Sequence, residues 1–168
     1  MKTEQQYFEK GKSIQAYMDE MSKLKQESMK VYNEFELPQD DFISSLKQQS
    51  LRFLVITEDW CGDAMMINPV IRKISEAADM ETRVTLRDAD TDLIDRHLTN
   101  GGRAIPIVLI LSGEGELIGK WGPRAPEVQQ IVNDLRAMIT ALQERYVNEP
   151  QLWTYVYESF KNTLKDIL

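Results

Sequence analysis

Apolar residues recur mostly at three- and four-residue steps through residues 4–36, at Ile14, Tyr17, Met18, Met21, Leu24, Val31 and Phe35, with Lys, Glu and Gln between them. That period predicts an amphipathic helix. Gly11 is its weak point, so the first ten residues are expected as a separate, frayed turn. Leu37-Pro38 stops the helix, and Asp40 and Asp41 supply the negative charge favoured at a new helix start. A short helix over about 41–48 would bury Phe42, Ile43 and Leu46. The pattern then becomes almost continuously apolar over Arg52–Ile56, as expected of a strand covered on both faces. A helix from Asp63 to Asp79 follows, with Met66, Val70, Ile74 and Ala77 on one side. Pro69 lies inside it, where it removes a hydrogen bond and kinks the axis. Thr82–Arg87 reads as a second strand, Asp88–Asp92 as a turn, and Leu93, Ile94 and Leu98 as a short helix ending at Asn100-Gly101-Gly102.

Ile105–Leu111 is the next strand, Ser112-Gly113-Glu114-Gly115 a hairpin turn, and Glu116–Trp121 the returning strand. Val128, Ile131, Val132, Leu135, Met138, Ile139 and Leu142 mark a long amphipathic helix. After Asn148-Glu149-Pro150, a last helix carries Leu152, Val156, Phe160, Leu164 and Ile167 on one face. Its second stripe, Trp153, Tyr157 and Tyr155, is expected to cover the flank of the domain, with a dimer surface as the alternative. A parallel βαβ unit followed by an antiparallel hairpin and a helix predicts a three-layer α/β domain with a mixed sheet. The expected organisation is an N-terminal helical extension over 1–37, the α/β domain over 38–145, and a C-terminal helix over 146–168 packed on the domain or a partner.

Composition narrows the function classes. A chain of 168 residues that is 42% hydrophobic can bury one sizeable core. With a net charge of -7 and no block of Lys and Arg, it lacks what phosphate binding needs, which excludes nucleic acid as the main partner. Met1–Gln6 lacks the apolar run of a signal peptide, and no stretch approaches the ~18 apolar residues of a membrane span. The expectation is a cytoplasmic protein without membrane contact. A single cysteine excludes an internal disulfide.

That cysteine, Cys61, sits in Thr57-Glu58-Asp59-Trp60-Cys61-Gly62-Asp63-Ala64-Met65-Met66, where the first apolar strand ends and a helix begins. The helix dipole there favours the thiolate by ~0.3–1 kcal/mol, up to ~2 in sheltered geometry. Glu58, Asp59 and Asp63 oppose it. One carboxylate ~5 Å from the sulfur costs roughly 1 kcal/mol in water and about 3 at an effective dielectric of ~20. Two readings therefore stand: a nucleophile, or an inert thiol on a retained scaffold.

Trp60-Cys61-Gly62 resembles the opening of the Trp-Cys-Gly-Pro-Cys active site of the thioredoxin family, at the strand-to-helix junction where that family keeps it. Pro69, eight residues on, resembles the family's helix proline. Ile105-Pro106 resembles its cis-proline, which faces the active-site sulfur and holds bound peptide backbone, and Gly122 resembles a glycine near the same surface. The similarity spans about residues 38–142 and implies a thioredoxin-like fold with added N- and C-terminal helices. Three departures qualify what it implies. Ala64 stands where the second cysteine belongs, Asp63 replaces the intervening proline, and Val55 occupies the place of a buried proton-moving aspartate. The chain looks like a bacterial variant with a single-cysteine Trp-Cys-Gly-Asp motif. Without a second thiol, a mixed disulfide at Cys61 must be resolved by an external thiol, which excludes a dithiol reductase.

The resemblance thus implies monothiol thiol–disulfide exchange at Cys61, with Trp60, Gly62, Asp63, Ile105 and Pro106 presenting protein or low-molecular-weight disulfides and thiols. No cofactor is expected, and the chain is expected to be a monomer or weak homodimer. A non-catalytic module holding extended peptide beside Pro106 is the alternative. An iron–sulfur carrier of the monothiol glutaredoxin type ranks third, because the Phe-Ser that usually follows Cys-Gly is missing. Other features read as ordinary. His97 is expected on the solvated surface, and Arg87 and Arg103 as balancing an acidic surface. Asp88, Asp90 and Asp92 lack the glycine and glutamate of a calcium loop, so no metal is expected. The eight methionines, including Met65-Met66, read as flexible core filler.

Overall fold

The computed structural model describes residues 1–167, and all their side chains except Phe160, Thr163, Leu164 and Ile167. The predicted alignment of Phe160, Leu164 and Ile167 on one face lies outside the described residues. The chain divides into two compact units, Met1–Arg124 and Ala125–Leu168.

In the first unit, a five-stranded mixed sheet has the order β1-β3-β2-β4-β5. Its strands are β1 (Lys12–Ser13), β2 (Leu51–Thr57), β3 (Thr82–Leu86), β4 (Ile107–Ser112) and β5 (Leu117–Trp121). β2 and β3 run parallel, with Val55 beside Val84, and the remaining pairs are antiparallel. Central β2 is buried along most of its length, as its unbroken apolar run requires. One face of the sheet packs Leu54, Ile56, Ile107, Leu109 and Leu111 with Tyr7, Phe8, Leu93 and Ile94. The other packs Phe53, Val55, Val84 and Val108 with Ile14, Tyr17, Met18 and Met21.

The N-terminal region is not one helix. It forms α1 (Glu4–Lys10), the short β1, α2 (Ile14–Glu20) and α3 (Lys25–Glu34). Gly11 ends α1 because the backbone there lies against β3: a Cβ would meet the Val84 carbonyl oxygen at 2.9 Å. The second break, Met21–Leu24, has a tertiary cause. Ser22 and Lys23 turn their N–H groups to Asp59, and Leu24 adopts a left-handed φ of 55°. Local helix periodicity carries no trace of either partner.

α4 (Phe42–Lys47) has no buried residue, and Phe42, expected in the core, is exposed. α5 (Gly62–Ala77) starts at Cys61, and its buried face is rotated from the expected one. Ala64, Ile67, Asn68, Ser75 and Ala78 point inward, while Met66 is exposed rather than core filler. The polar residues Asn68 and Ser75 hide this face from an apolar count. Instead of the predicted short helix, Ile94–Arg96 forms a single 3-10 turn, with Leu93 and Ile94 buried and Leu98 exposed.

His97 is also corrected. It is 5% exposed rather than solvated, and its Nε2 lies 3.3 Å from Glu4 Oε1. Burial pushes the imidazole below its ordinary range, and Glu4 partly offsets this.

The second unit contains α6 (Pro126–Asn148) and α7 (Pro150–Ile167). Pro126 sits in the first turn of α6, where its missing N–H costs nothing. Among the described residues, no helix is long and apolar enough to cross a membrane.

Candidate functional site

Cys61 is the N-cap of α5, in extended backbone conformation. Its Sγ accepts from the Ala64 N–H at 3.5 Å and donates to the Ile105 carbonyl oxygen at 3.6 Å. The sulfur is thus held between the first turn of α5 and the residue before Pro106. It is 9% exposed. The Ile105–Pro106 peptide bond is cis, and both residues are buried. Behind it, Gly122 has φ 117°, and a Cβ there would lie 2.4 Å from the Pro106 carbonyl oxygen. Glycine is therefore required for the segment after β5 to pass this close.

The three acids that oppose the dipole in the sequence each have another partner. Glu58 is buried and accepts from the Asp88 N–H at 2.8 Å. Asp59 accepts from the Ser22 N–H, the Ser22 hydroxyl and the Lys23 N–H, at 2.9, 2.8 and 3.3 Å. Those donors, the Ser22 N–H first, hold its carboxyl below the usual carboxylate range. Asp63 meets Arg124 with both carboxylate oxygens, Nε to Oδ1 at 2.9 Å and Nη2 to Oδ2 at 2.7 Å. This bidentate pair neutralises the carboxylate nearest the start of the helix and holds the Arg124 proton more firmly.

Trp60 is 45% exposed, and the Arg87 guanidinium lies 4.9 Å from its ring centroid. Arg87 also binds Asp88 and donates to the Arg103 carbonyl, so it braces the wall of the site rather than merely balancing charge. Arg103 forms a bidentate pair with Asp95. Gly62 opens α5 with no atom within 4 Å of a built Cβ, so the space beside Cys61 is open there.

The structure thus brings Cys61 against Ile105, at the cis bond to Pro106, with the exposed Trp60 and Gly62 on either side of the cysteine in the chain. Asp63 is turned to Arg124. Sequence reasoning missed Arg124, which lies 61 positions from Asp63 and carries no local signal. It also missed the polar group beneath the loop, where the buried Asn68 Nδ2 donates to Thr57 Oγ1 at 3.1 Å. Nearby, the Tyr17 hydroxyl is buried beside Thr57, and burial pushes its pKa up to about 12. The polar Asn68 between Ile67 and Pro69, and Thr57 at the end of the apolar run of β2, were the available hint.

Asp88, Asp90 and Asp92 do not converge. Asp88 pairs with Arg87 and Asp90 with Lys2. Among the described residues, no group of three or more His, Cys, Asp or Glu could hold a metal ion.

A sequence profile described as thioredoxin matches residues 11–137. The chain belongs to the thioredoxin family. The match begins within the N-terminal region, at the glycine that lies against β3. A protein of unknown function from Pseudomonas aeruginosa has a similar structure, with a TM-score of 0.68, 21% identity, and coverage of 84% of this chain and 89% of that one. An HIV epitope scaffold is similar at TM-score 0.64 and 20% identity, covering 76% of this chain and 81% of that one. At these identities the likeness is one of fold. No curated protein matches the chain.

Against the thioredoxin pattern, the site keeps the helix-start cysteine and the cis-proline and changes what surrounds them. Ala64 is 1% exposed and offers the sulfur only its backbone N–H. Val55 is fully buried among apolar neighbours, so no carboxylate stands at that position. A disulfide formed at Cys61 has no second thiol in this chain to resolve it.

Proposed function

We propose that this thioredoxin-family protein exchanges thiols and disulfides through Cys61 alone. The observation that carries the reading is the Ala64 N–H aimed at Sγ at the start of α5, with the adjacent acids bound elsewhere. The Ala64 N–H and the start of α5 face the sulfur, and Asp63 is bound to Arg124 by both its oxygens. The Cys61 thiolate attacks one sulfur of a mixed or protein disulfide, R–S–S–R′. The Cys61–S–S–R bond forms as the S–S bond breaks, and R′S⁻ leaves. A low-molecular-weight thiolate R″S⁻ then attacks the R sulfur, which gives R–S–S–R″ and returns the Cys61 thiolate. The electrons come from that thiol. Trp60 and Pro106 line the face on which an extended disulfide-bearing segment would lie.

A second reading, a non-catalytic module that holds extended peptide beside Pro106, is favoured by the burial of the sulfur and the exposure of Trp60. An aromatic mixed disulfide whose leaving thiol absorbs light separates the two. The exchange reading expects one equivalent of chromophore released per chain, followed by turnover when excess small thiol is added. The Cys61→Ser variant should release none. No release from the wild-type chain overturns exchange and leaves the binding module.

A further inference from the structure

We propose that the first unit carries a binding site for a small organic ammonium, in a cavity at the β1 edge of the sheet where Glu58 takes the positive charge. The cavity has a volume of about 370 Å³, toward the small end of ligand cavities at ~300–1,000 Å³. Every residue that lines it belongs to Met1–Arg124. Its origin is topological. β1 is two residues long and pairs with β3 only at Arg83 and Val84, so Thr85 and Leu86 run on past its end. α1 and α2 leave β1 from its two ends, and the loops after β2 and β3 add Glu58 and Ala89 to the wall. β2 and β3 are the parallel pair of this sheet, and the C-terminal ends of parallel strands are where α/β sheets usually seat ligands.

The charged groups in the wall decide the ligand. Lys2 is bound to Asp90, Lys12 to Glu20, and Asp59 accepts from the Ser22 and Lys23 N–H groups, while Lys10 lies exposed at the end of α1. Glu58 differs from all of these. It is 9% exposed, its Oε1 accepts from the Asp88 N–H, and among the described residues no Lys, Arg or His side chain forms an ion pair with it. A carboxylate so far removed from water ordinarily has a counter-charge. Its Oε2 is neither enclosed nor hydrogen-bonded among the described residues, so it is the acceptor the cavity offers. An ammonium donates to it in a charge-assisted bond, and the apolar body of the ligand lies against Tyr17, Met21 and Leu86. The Tyr7 ring already holds the Lys2 ammonium 5.1 Å from its centroid, whereas among the described residues no cation lies over the Tyr17 ring, which adds a second attraction for the ligand. Four carboxylates against three lysines disfavour an anion here. A metal ion is disfavoured because, among the described residues, no three His, Cys, Asp or Glu side chains converge.

Titration calorimetry of the full chain with phenethylamine tests the site. One equivalent should bind with a dissociation constant below ~1 mM. Glu58→Gln keeps an oxygen for the Asp88 N–H, so its circular dichroism should match the wild type while its affinity falls at least ~10-fold. Phenethyl alcohol, of the same shape without the charge, should bind the wild type at least ~10-fold more weakly than the amine. A second variant reads the location and stands in for the first if Glu58→Gln does not fold. Ala89→Trp, at an exposed position of the wall, obstructs the cavity without touching Glu58 chemically and should lose binding while keeping the wild-type circular dichroism. No saturable binding of the amine, wild-type affinity in either folded variant, or equal affinity for amine and alcohol overturns the proposal.

Discussion

Replacing Arg124 by Gln keeps much of the side chain but removes the charge that neutralises Asp63, and this should slow the chemistry of Cys61. Asp63 lies two residues after Cys61 in the first turn of α5 and is bound by both its oxygens to Arg124. Once the pair is broken, a bare carboxylate stands on the order of 6 Å from the sulfur. Its repulsion of a thiolate is about 2.8 kcal/mol at an effective dielectric of 20 and about 0.7 in water. The Asp63 and Arg124 side chains are 24% and 20% exposed, so an intermediate value of about 1.4 kcal/mol applies, a tenfold effect. The assay is the rate of Cys61 alkylation by iodoacetamide at neutral pH and low salt, with circular dichroism to confirm the fold. Arg124→Gln should react about tenfold more slowly than wild type. The deficit should shrink toward twofold near 1 M salt, where the screening length falls to about 3 Å. Asp63→Asn, which leaves Arg124 without its carboxylate, should react at least as fast as wild type. If Arg124→Gln matches wild type within about twofold at low salt, the pair does not set the field at the sulfur and the reasoning fails.

Two further outcomes rest on the surrounding packing. Gly122→Ala forces a Cβ to 2.4 Å from the Pro106 carbonyl oxygen at φ 117°, so it should cost about 3 kcal/mol in urea unfolding and speed alkylation by loosening the Ile105 contact to Sγ. Gly62→Ala, with open space around its Cβ, should change stability by less than about 1 kcal/mol, and equal losses for both would contradict the packing. Tyr17 retains its proton up to about 12 in the folded chain but loses it near 10 when unfolded, so its contribution is complete below pH 10 and is lost as pH rises toward 12. That loss amounts to about 1–2 kcal/mol after allowance for solvent screening, and Tyr17→Phe should flatten this part of the stability–pH curve. An unchanged alkaline slope in Tyr17→Phe would assign the loss to other groups.

Much of the sheet was legible because β2 and β4 are short apolar runs, and β3 and β5 short β-prone segments, bounded by turn residues, a signal internal to each segment. β1 was not, because Lys12 and Ser13 become a strand only by lying beside Arg83 and Val84. The same distinction applies to the helices. The apolar period through residues 14–21 correctly buries Ile14, Tyr17, Met18 and Met21, yet it runs past a break made by Asp59, a residue of the loop that carries Cys61. His97 was misread because its neighbours Asp95, Arg96 and Thr99 are polar. The 3-10 turn nevertheless directs its ring inward, toward Glu4 on α1. In the site, Cys61, Ile105 and Pro106 were readable from the motif, while Arg124, Thr57 and Asn68 act through contacts that no local pattern encodes.

The acids around Cys61 show why counting charges along the chain misjudges this loop. By sequence distance, three carboxylates crowd one thiol and should suppress it. In the fold they diverge: Glu58 caps the backbone after β3, Asp59 caps the start of the segment leading to α3, and Asp63 meets Arg124 beyond β5. Each acid accepts donors from a different element, so together they hold the loop against three parts of the first unit. The same contacts spend their charge away from the sulfur, where bound N–H groups and a guanidinium offset it. A loop without a second cysteine has no disulfide to fix its oxidised geometry. In this chain the three carboxylates tie the loop that carries Cys61 to the rest of the first unit without one.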